Sequence, residues 1–174
     1  MLEESSFKNI YDTYIDMVYN LCLNYLQNSS DAEDVCQNVF IKVHQHIKQF
    51  EGKSSLKTWI YRVTINQCHD FTKAKKRKKR FGNIVSLFQE NIADSTLPLP
   101  DFNHPGVLLE DKEAVAAIFN KINKLPTNQK TAIVLKTIEG MSQKEIAEVM
   151  EISTKAVESL LSRARSGLKK MLNK

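Results

Sequence analysis

The chain has 174 residues, of which 42% are hydrophobic, and this length suits one compact domain or two small ones joined by a linker. The apolar content is too high for wholesale disorder, and no apolar run approaches the roughly 20 residues that a membrane-spanning helix needs. The N-terminus is acidic and unlike a signal peptide, so we expect a soluble, cytoplasmic protein without membrane insertion.

Charge alternates along the chain in a way that the formal net charge of +5 hides. Residues 1–34 and 81–113 are acidic, whereas residues 73–80 and 155–174 are basic. This alternation predicts at least two kinds of partner, an anionic polymer for the basic zones and a different partner for the acidic ones. Cys22, Cys36 and Cys68 form no CxxC pair and lie in apolar helical patterns, so we expect buried thiols rather than disulfides.

The first two predicted helices occupy residues 7–26 and 31–50. Apolar side chains recur at steps of three and four in both, and residues 28–30 (Asn-Ser-Ser) separate them. We expect Ser30 or Asp31 to be the N-cap of the second helix. On that helix the predicted buried residues are Val35, Val39, Phe40, Val43 and Ile47, and the predicted exposed residues are Asp34, Gln37, Lys42 and Gln45.

The third predicted helix runs from Ser55 to Arg80 after a break at residues 51–55. One broad face is apolar and carries Leu56, Trp59, Ile60, Val63, Cys68 and Phe71, with Tyr61 and Ile65 at its edge. The opposite face carries Thr58, Arg62, Asn66, His69 and Lys73, and a cationic run follows to Arg80. This pattern is typical of a nucleic-acid surface, although a solvated face or a localisation patch has the same pattern.

Residues 81–107 lose the helical period and contain the Pro-rich pieces LPLP and HPG. They predict a linker of about 25 residues, parts of which dock through their apolar side chains. Residues 108–125 are predicted to be helical again, and Pro126 interrupts them. Another helix is predicted at residues 128–139, and Gly140 ends it.

Residues 141–165, MSQKEIAEVMEISTKAVESLLSRAR, predict a helix-turn-helix. Residues 142–145 form a capping box, residues 151–153 form the turn with Glu151 at the usual glycine position, and Ser153 caps the second helix. On that helix the outward residues are Lys155, Glu158, Ser159, Ser162 and Ser166, with Arg163 and Arg165 on the flanks. Such a helix enters the DNA major groove, although a helical hairpin with a solvated face is the simpler alternative.

Three passages together resemble the extracytoplasmic-function (ECF) sigma factors of the sigma-70 family. They are DAEDVCQNVFIKVHQHIKQF (31–50), SLKTWIYRVTINQCHDF (55–71) and LPTNQKTAIVLKTIEGMSQKEIAEVMEISTKAVESLLSRAR (125–165). They cover well over half the chain, in the family's order and spacing. The resemblance implies an all-α fold with two small helical domains: a bundle of three or four helices at 1–80, a linker at 81–107, and a helix-turn-helix bundle at 108–174.

The resemblance also implies partners and residue roles. The region 2-like domain would dock on the clamp helices of the largest subunit of core RNA polymerase, and the polymerase flap would be a second contact surface for the chain. Its docking residues would be Asp31, Asp34, Gln37, Asn38 and Lys42. The linker would run through the polymerase between two DNA readers, and an anti-sigma factor is an expected partner.

Two promoter elements are implied as ligands. The −10 element would contact Phe50, Trp59, Arg62, Val63, Asn66, His69, Lys73, Lys76 and Arg77. The −35 element would contact Ser142, Thr154, Lys155, Glu158, Ser159, Ser162, Arg163 and Arg165. Family members often carry Lys or Arg where this chain has Glu158 and Leu160, so the family's base preference does not transfer.

Two other classes of protein compete with this interpretation. A stand-alone regulator with a LuxR-like C-terminal domain explains residues 141–165 but leaves Trp59, Asn66 and the basic run without a role. An enzyme is poorly supported, because the four histidines (His44, His46, His69, His104) have no ligand-spaced partners and no HExxH, P-loop or GxSxG occurs. We therefore predict no catalytic residue, metal site, cofactor or small-molecule substrate.

Overall fold

The computed structural model describes the backbone of residues 2–86 and 112–173 and the side chains of residues 7–79 and 114–173. The α-helices are α1 (Leu2–Leu26), α2 (Ser29–His46), α3 (Leu56–Ser86), α4 (Lys112–Asn123), α5 (Thr127–Thr137), α6 (Gln143–Met150) and α7 (Thr154–Leu172). A short 3-10 helix, Ile47–Gln49, follows α2. The described ranges contain no strand, so the predicted all-α fold with two small helical domains is confirmed.

The junction between α1 and α2 is tighter than predicted. Gln27 adopts a left-handed conformation with φ 58°, and this ends α1. Asn28 is then the N-cap of α2, because its side chain accepts a hydrogen bond from the Asp31 backbone N–H at 2.8 Å. The predicted N-cap at Ser30 or Asp31 was therefore wrong, since the asparagine two or three residues earlier satisfies the free N–H groups first.

The N-terminal bundle, α1–α3, buries one apolar stripe from each helix. Its largest fully buried side chains are Val18, Leu21, Tyr25, Val35, Val39, Val43 and Ile60. Tyr61 and Ile65, predicted at the edge of the apolar face of α3, are only 5% and 4% exposed. Trp59 and Val63, predicted on the apolar face itself, are only partly buried. The buried face of α3 is thus rotated relative to the predicted one.

The three cysteines lie in this core as free thiols, as predicted. The Sγ atoms of Cys22 and Cys68 are 4.0 Å apart. The contact with Cys68 and then burial raise the pKa of Cys22 far above its ordinary value, and burial raises the pKa of Cys36 to about 11. Thiols in this state are poor nucleophiles at neutral pH.

The basic run does not end α3. The helix continues through Ser86, so residues 81–86, predicted as the start of the linker, are helical. Lysine and arginine are good helix formers, which explains how a cationic run extends a helix after its apolar pattern stops. The remaining predicted linker residues, 87–107, lie outside the described residues.

The C-terminal bundle, α4–α7, contains the helix-turn-helix. The capping box of α6 is present: the Ser142 N–H donates to Glu145 Oε2 at 2.8 Å, and the Glu145 N–H donates to Ser142 Oγ at 3.2 Å. Glu151 forms the turn in a left-handed conformation (φ 54°), which costs a non-glycine residue about 1–2 kcal/mol. Ser153 caps α7 by accepting from the Ala156 N–H at 3.2 Å.

The two bundles pack against each other. Helix α3 contacts α6, and α1 contacts α5. No helix in the described part of the chain is long and apolar enough to span a membrane.

Candidate nucleic-acid interface

The outward face of α7 is open. Its inner face is held by Val157, Leu161 and Ala164, which are buried against α5 and α6. The predicted −35 residues on the other side are exposed: Thr154, Lys155, Glu158, Ser162, Arg163 and Arg165, with Ser159 half-buried. Ser142 is exposed as well, but its hydroxyl is engaged in the capping box of α6.

A cleft of about 310 Å³ lies between the start of α3 and the end of α2. Trp59, Val63 and Asn66 line it from α3, and Lys42 lines it from α2. The Phe50 ring stacks at an angle on Trp59, with ring centroids 5.5 Å apart. The fold thus brings three predicted −10 residues together around one cavity, and a fourth, Phe50, contacts Trp59 at its side. An aromatic wall beside a free amide can stack a base and hydrogen-bond its edge.

Three further residues line this cleft that the sequence did not suggest: His46, Gln49 and Gln67. His46 and Gln49 are joined by a contact of 3.3 Å between Nδ1 and Oε1. His46 and Gln49 lie where α2 ends and the 3-10 helix begins, a segment that the sequence predicted to be one continuous helix. The change of helix type brings them beside Trp59, and no residue pattern signalled it.

Arg62 and His69 are not on an open face, contrary to the prediction that they face outward. Arg62 Nη1 lies 2.7 Å from Glu151 Oε1, and its Nη2 donates to the Glu148 carbonyl oxygen at 2.8 Å. His69 Nε2 lies 2.9 Å from Thr131 Oγ1. Burial, followed by the nearby charge of Lys73, lowers the pKa of His69. The C-terminal bundle therefore covers this part of α3, and its packing is the reason the prediction failed.

The predicted −10 contacts at the end of α3, Lys73, Lys76 and Arg77, are exposed. Lys73 and Lys76 also line a cavity of about 430 Å³ at the junction of the bundles, together with Lys75, Lys79 and Lys130. Lys75 Nζ lies 2.5 Å from Asp31 Oδ2. Asp31, predicted to bind polymerase, is thus half-buried and forms an ion pair within the chain.

The other predicted polymerase-binding residues lie on the exposed face of α2. Asp34, Gln37, Asn38 and Lys42 are all exposed. Beside them, α1 and α2 form a mainly apolar groove of about 440 Å³, lined by Phe7, Tyr11, Gln37, Phe40, Ile41, His44 and Gln45. Ile41 is 54% exposed there. Its exposure was detectable in the sequence, because an isoleucine there falls outside the apolar stripe of α2.

No cluster of potential metal ligands occurs among the described residues. His44 packs edge-on against Phe7 with centroids 4.8 Å apart, and His46 contacts Gln49. His104 lies outside the described residues.

Comparison with known proteins defines the class. Residues 10–78 match sigma-70 region 2, and residues 116–168 match sigma-70 region 4. The solved structure of CnrH in complex with the cytosolic domain of CnrY aligns over 98% of this chain and 89% of its own, with a TM-score of 0.66 and 22% identity. The sigma factor RpoE of Bartonella quintana, solved with the anti-sigma factor NepR, covers 97% of both chains with a TM-score of 0.65 and 22% identity. The fold is that of a two-domain sigma-70-type protein.

Curated relatives narrow this to one family. The ECF RNA polymerase sigma-E factor of Haemophilus influenzae is 32% identical over 163 residues, covering 94% of this chain and 85% of its own. The ECF RNA polymerase sigma factor SigW of Bacillus subtilis is 32% identical over 176 residues, covering 98% and 90%. The chain belongs to the ECF RNA polymerase sigma factors. The LuxR-like alternative is wrong, because it does not account for the region 2 match.

Proposed function

We propose that this chain binds core RNA polymerase in the cytoplasm and directs it to promoters by reading two DNA elements. Residues 1–80 dock on the polymerase clamp helices and hold the −10 element, residues 108–174 contact the flap and read the −35 element, and residues 81–107 join them. The observation that carries the proposal is the cleft lined by Trp59, Val63 and Asn66, next to Phe50. It offers a pocket for one extruded base beside an exposed amide.

Docking on polymerase is supported by the exposed face of α2. Asp34, Gln37 and Asn38 are polar, exposed and adjacent to the apolar groove at Ile41. An interface needs an apolar centre with a polar rim, and this arrangement supplies both. An anti-sigma factor is a further expected partner, in keeping with the complex in which Bartonella RpoE was solved.

The energetics require the polymerase. One captured base contributes about 1–3 kcal/mol. Opening roughly ten base pairs costs about 14 kcal/mol, at about 1.4 kcal/mol per step. The chain therefore does not melt promoters alone, and two weak readers become selective only when the polymerase holds them at a fixed separation. We expect no reaction of its own and no cofactor.

In vitro transcription from a promoter library with purified core polymerase tests this function. We expect the chain to select a discrete set of start sites, each preceded by two short conserved elements. If polymerase with the chain starts no more specifically than polymerase alone, the proposal is wrong. An independent pull-down of core polymerase without DNA distinguishes failure of docking from failure of promoter reading.

A further inference from the structure

Five lysines converge on the cavity of about 430 Å³ at the junction of the two bundles. Asp31 is the only carboxylate among the residues that line this cavity, and it forms an ion pair with Lys75. The other four cationic side chains form no ion pair within the described part of the chain, and they are Lys73, Lys76 and Lys79 from α3 and Lys130 from α5. The cavity therefore carries a large excess of positive charge.

The three unpaired lysines of α3 form a row. Lys73, Lys76 and Lys79 follow one another at steps of three residues, so each is a neighbour of the next on the helix surface. Like charges at this spacing repel each other and destabilise a helix. An anion that lies along the row removes this repulsion. A short chain of phosphates fits the row better than a single carboxylate does, because it carries several negative charges in a line.

Lys130 faces this row from the other bundle. Its side chain is half-buried, and its Nζ donates a hydrogen bond to the Tyr25 carbonyl oxygen at 2.7 Å. Burial lowers the pKa of Lys130 to about 8, and the nearby charge of Lys76 acts in the same direction. An ammonium group has three N–H donors, so Lys130 can keep its bond to Tyr25 and still donate to a ligand. A bound anion also stabilises its charged form.

The start of α5 adds a second attraction for anions. Thr127, the first residue of this helix, lines the cavity. Pro126 is the N-cap and makes no side-chain hydrogen bond to the first turn. Free N–H groups at a helix N-terminus carry a partial positive charge and bind phosphate groups. The helix terminus and the lysines on the opposite wall thus favour the same class of ligand.

The rest of the cavity wall is largely apolar. Leu26, Phe71 and Leu125 line it beside the lysines. An inorganic phosphate chain gains nothing from such a wall, whereas a ligand with a flat ring buries apolar surface against it. The volume of about 430 Å³ also lies within the range of about 300–1,000 Å³ that is usual for small-molecule sites. A wall of this kind next to a row of cations suits a molecule with an aromatic base at one end and phosphates at the other.

We propose that this cavity binds a nucleoside di- or triphosphate, with its phosphates along Lys76, Lys79 and Lys130 and its base against Phe71 and Leu125. The proposal concerns binding alone and goes beyond promoter reading, since neither polymerase nor DNA takes part in it. Both bundles supply contacts to the ligand, so a bound nucleotide should raise the melting temperature of the chain.

Competition for a fluorescent nucleotide tests the ligand class. Ribose-labelled analogues of ATP and GTP are added to the full chain and followed by fluorescence anisotropy, without magnesium, because this cation neutralises the phosphates that the lysines contact. Unlabelled nucleotides and inorganic tripolyphosphate then compete with the probe. We expect the di- and triphosphates to displace it at concentrations about tenfold lower than those of the monophosphates or tripolyphosphate, which corresponds to about 1.4 kcal/mol.

Three results of this competition overturn the proposal. Absence of saturable binding by both analogues shows that the cavity takes no nucleotide. Monophosphates as effective as triphosphates exclude the phosphate row, and tripolyphosphate as effective as ATP and GTP excludes a base on the apolar wall.

Two matched substitutions test the location of the site. Lys76→Gln and Lys78→Gln each remove one exposed charge from the same basic run, but Lys76 lines the cavity and Lys78 does not. We expect Lys76→Gln to weaken nucleotide binding about five- to tenfold, as for a charged hydrogen bond, and Lys78→Gln to weaken it less than about twofold. Equal losses in both variants indicate a general effect of charge and overturn the site.

Lys130→Met tests the contribution of the other bundle. Methionine keeps a long apolar side chain without the charge, so we expect a loss of affinity at least as large as that of Lys76→Gln. Nucleotide should raise the melting temperature of the native chain, measured by circular dichroism, but not that of Lys130→Met. Unchanged affinity in this variant overturns the placement of the site between the bundles. Lys76 is exposed, so the comparison of Lys76→Gln with Lys78→Gln remains decisive if Lys130→Met does not fold.

Discussion

The two helices expected to read DNA, α3 and α7, differ in what surrounds their polar faces. The polar face of α7 is exposed apart from the half-buried Ser159, because its own bundle packs only against the opposite side through Val157, Leu161 and Ala164. The face of α3 is divided: Asn66 is open beside a cleft, whereas Arg62 and His69 lie under the other bundle. Helical periodicity defines a polar face, but only the packing of the whole chain decides whether that face is free.

The largest expected effects are on stability, because α3 and α7 are each packed into the core of a different bundle. Ile60 in α3 is 0% exposed and Leu161 in α7 is 1% exposed. Ile60→Ala and Leu161→Ala should each destabilise their own bundle by about 2–5 kcal/mol, through lost burial and a residual cavity. Urea unfolding followed by circular dichroism measures this.

The exposed neighbour Ser162 supplies the control for Leu161, and Ser162→Ala should change stability by less than about 0.5 kcal/mol. If Leu161→Ala proves equally mild, α7 is not held by the core described above.

The next effect concerns the cleft on α3. Asn66→Ala removes the exposed amide beside Trp59 and should lower open-complex formation by polymerase about five- to 150-fold, which corresponds to about 1–3 kcal/mol for one base contact. Permanganate footprinting of the opened promoter measures it. Asn128→Ala makes the same change at an exposed position of α5 and should have no effect. Equal activity of both variants would remove Asn66 from the −10 site.

A smaller effect is expected from the flanking arginines of α7. Arg163→Ala and Arg165→Ala should each weaken binding of the holoenzyme to promoter duplex by about 1 kcal/mol and reduce the dependence of log K on log salt by about one unit. Lys170, exposed in the last turn of the same helix, is the matched cation. A Lys170→Ala variant as defective as the arginine variants would show a general effect of charge rather than two phosphate contacts.

The smallest expected effect is on the pH dependence of the packing between the two bundles. Where the bundles pack together, burial and then the charge of Lys73 lower the pKa of His69, and Asp70 opposes them. Tyr25 from α1 and Thr131 and Lys130 from α5 face this histidine. Burial also lowers the pKa of Lys130 to about 8. When a basic group has a lower pKa in one conformation than in another, its deprotonation stabilises the conformation with the lower pKa.

The packing between the bundles should therefore weaken as the pH falls below about 6.5, the ordinary pKa of histidine, and strengthen as Lys130 deprotonates from about pH 8 upward. Small-angle X-ray scattering measured from pH 5.5 to 9 should show a radius of gyration that decreases as the pH rises. His69→Gln should remove the lower part of this dependence and keep the part near pH 8. A radius of gyration that increases with pH would contradict the burial of His69 and Lys130 between the two bundles.

Local patterns were enough to predict most of the fold. The capping box at Ser142 and Glu145 and the cap at Ser153 depend on residues within one or two turns of each other, and they were confirmed. The predicted buried residues of the second helix were confirmed at Val35, Val39, Phe40 and Val43, but Ile47 lies in the 3-10 helix and is only half-buried. The N-cap of α2 was predicted wrongly for a local reason as well: asparagine is as good an N-cap as serine, and Asn28 precedes the predicted caps in the chain.

The surroundings of α3 could not be predicted from its own sequence. Tyr61 and Arg62 are covered by Glu139, Glu148 and Glu151, which follow them by more than 75 positions. The sequence marked Glu151 only as a departure from the usual glycine and offered no partner for it. The cleft at Trp59 likewise depends on a change of helix type at Ile47.

The buried thiols have a practical consequence for measuring the motions discussed above. Cys22, Cys36 and Cys68 are enclosed in the N-terminal bundle, and the pKa values of Cys22 and Cys36 are raised. Maleimide reagents attack thiolates, so the native protein should resist them while the bundle stays folded. One cysteine introduced on each bundle can thus be dye-labelled without replacing the natural ones. The rate at which the three natural cysteines are slowly modified then measures how often the N-terminal core unfolds transiently.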